Sequence, residues 1–549
     1  MNKSVFSKST YFFLFALLAI VYAIGLFVPL MDNDSAHHAN IALHMYLTGD
    51  YVSLIDHHGA YLDKPHLHFW LSAFSYKIFG VNPFAYKFPS FLFSVLGVYS
   101  TYRLGKILYN EAVGKLSALI LASSFAFILA NNDVRMDAIL TACIVFSIWQ
   151  LVVWMQHKKL INVLGAALGL ALGFCTKGHI AVFVPAVAVI FYLLYKKDWK
   201  LLWHWHWLLM GLLFLLFISP VVYCYYLQFN LHPEVTVRGQ HHINGVKFIL
   251  LNQSIERFSG TMGSDAKHDY LFFIHSFLWA FAPWSLIAYL AIVASVKDFL
   301  KRKEEWLTIG VFLTLLLIVS FSGFKLPHYL NIVFPTTAVL AGSYLLKMES
   351  NTKWVKTIFI IQAVIACLLL LGLIVINAWA FPVHSILIMI VVVLLLSVVF
   401  YFFISKKCSL LQKAVGISVS AMVLSFFLLN SNFYPQLLTY QAGRPLEEMT
   451  KGKVNPQDVF FWNNTYSSSY NFYSRSLYQN FSDSSLKADE KKWLIFDIKS
   501  EAEILQKGYH LGQRFEARDF EITKLDIKFI DPAKRDNQCT KLVLAEISR

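Results

Sequence analysis

The chain has 549 residues, of which 57% are hydrophobic and 15% charged, and its mean hydropathy is +0.54. A soluble domain carries about 25% charged residues, so this composition excludes an ordinary soluble protein and points to a polytopic membrane protein. The formal net charge of +14 sits largely in the short connections between apolar blocks, which argues against a nucleic-acid footprint.

The first apolar block, 11–30, follows Lys3 and Lys8. It is longer than the roughly 7–15 residues of a signal core, and no small-x-small cleavage site precedes Asp32, so an uncleaved first span is predicted. Further blocks lie at 86–108, 115–131, 137–156, 160–175, 179–195, 206–227, 271–296, 305–321, 328–347, 354–377, 383–405 and 411–431, thirteen spans in all. The pair 160–175/179–195, interrupted by "TKGH", reads as two spans or as a re-entrant pair with the same ends. The six cysteines (143, 175, 224, 367, 408 and 539) are scattered and none has metal-ligand spacing, so no disulfide framework is expected.

Cations fall in alternate connections: Lys3/Lys8, Lys106/Lys115, Lys158/Lys159, Lys196/Lys197/Lys200, 297–305, Lys353/Lys356 and 406–413. Positive charge near span ends marks the cytoplasmic side, so the amino terminus is inside and thirteen crossings leave the tail outside. The outer face then receives 31–85, 131–137, 176–179, 228–270, 322–329 and the tail. Within 31–85 the stretches 35–47 and 66–79 read as interfacial helices. After Tyr434 the runs "DVFFWNN", "KWLIFDI" and "FEITKLDIKFI" read as strands and "SEAEILQKGY" as a helix. The expected architecture is an all-α membrane domain over 1–433 and a small α/β domain over 434–549.

Ionisable groups gather on that outer face. Residues 31–71 alone hold seven of the 19 histidines. Asp34 stands at the outer end of span 1, Lys64 follows Asp63 in "YLDKPHLHFWL", and Arg135 and Asp137 share one short loop. Lys177 interrupts a hydrophobic stretch, and Lys325 precedes His328 and Tyr329. A carboxylate at a span end is costly to desolvate and is a functional candidate. The plainer readings are a helix cap for Asp34, lysines that snorkel to headgroups, and interfacial histidines; no closed zinc spacing is present.

Six stretches in chain order resemble one family. "DSAHHANIALHMYLTGDY" follows D-E-x-x-Y-A-x-I-A-x-x-M-x-x-x-G-D-W, and "YLDKPHLHFWL" follows Y-F-E-K-P-P-L-x-Y-W-L. "RMDAIL", "TKGH", "ERF" with "HDYLFFIHSFLWAFAPW", and "SGFKLPHYLNIVFP" complete the series. The pattern is similar to that of bacterial membrane glycosyltransferases of the protein O-mannosyltransferase and lipid A aminoarabinose transferase superfamily. Ser35, the pair His37–His38 (Arg-Tyr in the family), Asp63, His66 and His179 depart from it.

The resemblance implies a GT-C fold with about 13 transmembrane helices. It also implies inverting transfer of a sugar from a polyprenyl (undecaprenyl) phosphate to lipid A, protein or another glycan, on the periplasmic face of the inner membrane. Asp34 would orient or deprotonate the acceptor and Asp137 would position it. Lys64, Arg257 and Lys325 would stabilise the leaving phosphate, with Tyr61 and Tyr329 as hydrogen-bond donors. Asp63 and His268 would hold a divalent metal, zinc or magnesium/manganese, although pairing of Asp63 with Lys64 or Arg257 explains the same residues. A transporter or flippase is the rival; it would place its ionisable groups near the midplane. A membrane scaffold whose tail does the work is the third reading.

Overall fold

The computed structural model describes residues 4–549 except 33, 254, 257–268, 302–304, 324, 464 and 487–490. Helices lie over all thirteen predicted segments, two of them broken. Local chemistry sets several of their starts. Ser7 caps α1 (Lys8–Gly25) by accepting from Thr10 N at 3.2 Å. Asn82 caps α4 (Pro83–Leu108) by accepting from Ala85 N at 2.9 Å, and Pro83 occupies the first turn, where a missing N–H costs nothing.

The segment 115–131 is not one straight helix but α5 (Glu111–Ala122) and α6 (Phe125–Asn132), bent by 53°. At the break Ser123 and Ser124 turn their hydroxyls back onto Leu119 O and Ile120 O, at 2.6 and 2.7 Å. Such back-bonding competes with the helix ladder and favours a bend. The segment 271–296 likewise divides into Phe272–Ala280 and Ser285–Leu300.

Among the described residues eight helices are long and apolar enough to cross a membrane, or nine if the bent pair is one span. Ile180–Lys196 (α9) and Leu307–Ser320 are apolar but shorter. The chain is thus a multi-pass helical bundle. Its centre is α7 (Asp137–His157), which packs against α4, α8 (Leu160–Lys177) and α9. Small residues bring these axes together: a Cβ on Gly169 would stand 2.4 Å from Ser147 Oγ, and one on Gly97 would stand 3.4 Å from Ala142 Cβ. Without a hydrophobic drive between helices in lipid, close backbone approach of this kind supplies the packing. At the periphery the helix Ile386–Ile404 exposes Leu387, Ile390, Val393 and Leu394, an apolar surface suited to acyl chains.

Residues 31–82 fold over one end of this bundle. The two predicted interfacial helices are α2 (Asp34–Thr48) and α3 (Leu67–Phe79), packed on each other. Between them β1 (Ile55–Asp56) and β2 (Gly59–Ala60) make a hairpin whose two-residue turn is His57–His58.

The C-terminal region carries a four-stranded sheet, order β3-β4-β6-β5, from Val459–Phe461, Lys492–Asp497, Thr540–Ser548 and His510–Asp519. β3 runs parallel to β4, and the other pairings are antiparallel. "DVFFWNN" and "KWLIFDI" contain strands, and "SEAEILQKGY" contains the helix Glu501–Gln506. "FEITKLDIKFI" is not a strand. Asp526 caps a short helix there by accepting from Phe529 N at 2.8 Å, and Phe529 is buried. The strands that replace it flank this stretch; β6 is central and buries Leu542 to Ala545 in succession, so the alternation of a one-sided strand is missing.

The sheet region is pinned to the first loop. Asp32 Oδ2 accepts from Ser469 Oγ at 2.6 Å and Ser467 Oγ at 3.0 Å, and Asp32 N donates to Gln441 Oε1 at 2.7 Å. Asn40 Nδ2 donates to Ser468 O at 2.7 Å. On another side Arg535 donates to Ala380 O at 2.7 Å and stacks over Phe381.

Candidate active site

The starts of α2 and α7 and the end of α8 come together near Arg135. Asp34 opens α2, and its carboxylate reaches across to Arg135, Oδ2 to Nη1 at 3.4 Å. Arg135 Nε also donates to Asp133 Oδ2 at 2.6 Å. Burial pushes the Asp133 carboxyl up, against the pull of Arg135. Met136, next in sequence, takes a left-handed backbone (φ 76°) at the start of α7. That turn separates its neighbours: Arg135 points to Asp34 and Asp133, whereas Asp137 points to Lys177. Strained backbone of this kind is retained where surrounding structure demands it.

Lys177 Nζ donates to Asp137 Oδ1 at 2.7 Å, with side chains 7% and 3% exposed. The bland snorkelling role for Lys177 is therefore replaced by a buried ion pair. Asp137 Oδ2 has no hydrogen-bond partner among the described residues and lies 3.9 Å from His328 Nε2. The Lys177 ammonium also stands over the Tyr329 ring, 5.2 Å from its centroid. By contrast, the Asp34 side chain is 45% exposed. One carboxylate faces solvent while the other is locked.

The charge of Lys64 reaches both Asp137 and His38. Burial pushes His38 well below the usual imidazole range, and the charges of His37, His68, Lys64 and Arg135 act in the same direction. Tyr61 is buried, with its ring edge-on to His37 at 5.5 Å. Lys325 turns to the 269–270 segment: it donates to Asp269 O at 2.7 Å and lies 5.2 Å from the Tyr270 ring centroid.

Asp63 pairs with Arg238, a residue not singled out in the sequence, and its carbonyl accepts from Gln253 Nε2 at 2.9 Å. Arg257 and His268 lie outside the described residues. Sequence reasoning also passed over Lys87, buried one turn into α4, which donates to Gly25 O and Val28 O at the end of α1, at 3.2 and 2.7 Å. A buried lysine that closes helix-end carbonyls is structural. Its signal was a lysine inside an apolar block. Asp133 was visible as the i−2 neighbour of Arg135, and Arg238 as an outer-loop arginine before a glycine.

The family model described as dolichyl-phosphate-mannose-protein mannosyltransferase matches residues 63–224. An undecaprenyl phosphate-alpha-4-amino-4-deoxy-L-arabinose arabinosyl transferase 2 of Pseudomonas fluorescens is 27% identical over 60% of this chain, and the match spans 57% of that relative. An uncharacterized protein of Aquifex aeolicus is 25% identical over 68% of this chain and 71% of its own length. In fold the chain is similar to ArnT from Cupriavidus metallidurans bound to undecaprenyl phosphate, with a TM-score of 0.75, 14% identity and 98% of both chains covered. The chain is thus similar over residues 63–224 to the dolichyl-phosphate-mannose-protein mannosyltransferase family, similar in sequence to aminoarabinose transferases, and similar in fold to ArnT.

Proposed function

We propose that this protein is an inverting glycosyltransferase that moves a sugar from a polyprenyl-phosphate donor to lipid A, a protein or another glycan at the outer face of the bacterial inner membrane. The observation that carries the reading is the half-exposed Asp34 held by Arg135 beside the buried Asp137–Lys177 pair. It gains weight from a relative that uses an undecaprenyl-phosphate aminoarabinose and from a like fold solved with undecaprenyl phosphate.

The acceptor O–H gives its proton to Asp34 as its oxygen bonds to the sugar's anomeric carbon. The bond from that carbon to the phosphate oxygen breaks on the opposite face, which inverts the centre. A phosphate leaving group needs little protonation, but its growing charge needs fixed cations. Lys64, Arg257 and Lys325 are proposed for that task, with Tyr61 and Tyr329 donating hydrogen bonds. Asp137, held by Lys177, presents a carboxylate oxygen to the acceptor or to His328. For Asp63, its pairing with Arg238 supports an ion-pair frame; a divalent ion, if held by Asp63 and His268, would supply positive charge to the leaving phosphate, and metal content that falls on Asp63→Ala would favour it.

Purified enzyme in liposomes should consume undecaprenyl-phosphate aminoarabinose and add its sugar to lipid A, read by mass spectrometry. Donor that is bound but never consumed with lipid A, protein or glycan acceptors would overturn the reading and favour a transporter. Asp34, Asp137 and Lys177 stand at helix ends and Asp63, Lys64 and Lys325 in loops, a placement suited to transfer chemistry at the membrane surface.

Lys64→Ala should weaken donor binding and lower turnover together, by about 10²–10³-fold in rate, because one fixed charge in a dry site is lost. Unchanged donor affinity and rate would remove the phosphate from this loop. The proposed orientation has the amino terminus in the cytoplasm and the tail in the periplasm. Reporter fusions after Lys301 and Lys407 should therefore behave as cytoplasmic and one after Arg444 as external; a cytoplasmic signal at Arg444 would divide the site between two compartments.

A further inference from the structure

Three metal-ligating side chains meet at the turn of the β1–β2 hairpin. Ligand atoms of His37, Asp56 and His57 all lie within 4.8 Å of one another. His37 Nε2 and Asp56 Oδ2 are 3.2 Å apart. Tetrahedral bonds of about 2.0–2.2 Å set ligand atoms about 3.3–3.6 Å apart, so this pair already has nearly the spacing of two ligands on one zinc. His57 packs flat on Tyr466 of the C-terminal region, ring centroids 3.9 Å apart.

A hydrogen bond between His37 and Asp56 explains two of the three groups. It does not explain His57, whose Nε2 is buried without a hydrogen-bond partner among the described residues. Buried polar atoms are normally satisfied, and an orphan next to a His–Asp pair asks for a ligand. The three groups line a cavity of about 150 Å³ that also has Asn40, His44 and Tyr478 in its wall, so there is room for an ion and a water. Two imidazoles and one carboxylate suit a borderline transition metal better than magnesium or calcium, which prefer oxygen.

We propose that His37, Asp56 and His57 form a binding site for a divalent transition metal of the zinc type, with a fourth position open to the cavity beside Tyr466. Its ligands are other residues than Asp63 and His268. His37 lies three residues after Asp34 on α2, on the same helix face. The ion would tie the hairpin turn to that helix one turn from the proposed base. The family pattern has Arg and Tyr at 37–38, so the ligand set belongs to this chain rather than to the pattern it resembles.

The full-length protein, purified in detergent and stripped with a chelator, is given Zn²⁺ or Co²⁺, and bound metal is measured by mass spectrometry of the ion. One bound Zn²⁺ is expected, together with the intense visible bands of four-coordinate Co²⁺. His57→Ala and Asp56→Ala should each weaken this binding by more than about 10-fold. Asp63→Ala should leave the Co²⁺ bands intact, which separates this ion from one at the donor phosphate. Stripped wild-type protein that binds neither metal would overturn the proposal whether or not any variant folds. So would Co²⁺ bands that vanish with Asp63→Ala and persist with His57→Ala.

Discussion

Asp34→Asn should lower sugar transfer by about 10²–10⁴-fold, the usual worth of a positioned base, while donor binding stays close to that of the wild type. The change keeps the shape of the side chain and removes its basic oxygen. Asp34 is suited to the role by placement: it opens α2, stays 45% exposed, and is held through one oxygen by Arg135. Steady-state rates with a labelled donor, beside equilibrium donor binding, check the prediction. Near wild-type transfer would make Asp34 a helix-start residue that merely meets the positive end of α2. Asp34→Glu keeps the base but lengthens its reach, so it should recover part of the rate; a purely structural role predicts no such recovery.

Lys177→Met should cost about 3–5 kcal/mol of stability, since it strands the Asp137 carboxylate in a site where it is 3% exposed. Lys325, half-buried, donates to the Asp269 carbonyl and stands over the Tyr270 ring, so Lys325→Met strands no buried carboxylate among the described residues and should cost far less. The double change Lys177→Met/Asp137→Leu removes both charges and should regain most of the lost thermal stability without regaining transfer. Melting temperatures of the wild type, Lys177→Met, Asp137→Leu and the double variant form a cycle that isolates the pair. Additive losses would mean that the two groups do not depend on each other.

Helix positions were legible in the sequence because each apolar block is long and the connections carry their own charge pattern. What the blocks conceal is how a helix continues. Ser123 and Ser124 bend one block in the middle through hydroxyl bonds that composition does not register. In the C-terminal region β3 and β4 were readable from apolar runs, whereas β6, buried on both faces, lacks alternation, and 520–530 alternates without being a strand.

In the site, Asp34, Lys64, Asp137 and Lys177 were visible as charges beside apolar spans. Their pairings were not. Nothing near Asp63 in sequence points to Arg238, and Asp32 meets Ser467 and Ser469, 435 and 437 positions away. Local sequence reports which residues are costly to bury; it carries no address for the partner that makes burial tolerable.

The Asp32 joint has a bearing on protein engineering. Asp32 precedes Asp34 by two residues, and its carboxylate is clasped by hydroxyls from the far end of the chain. A chimera that grafts a relative's C-terminal region onto this bundle would replace those hydroxyls and shift the segment that carries Asp34. Such grafts should work only when 467–469 and Gln441 travel with Asp32 as one cassette, and the contact of Arg535 with Ala380 marks a second seam to be matched.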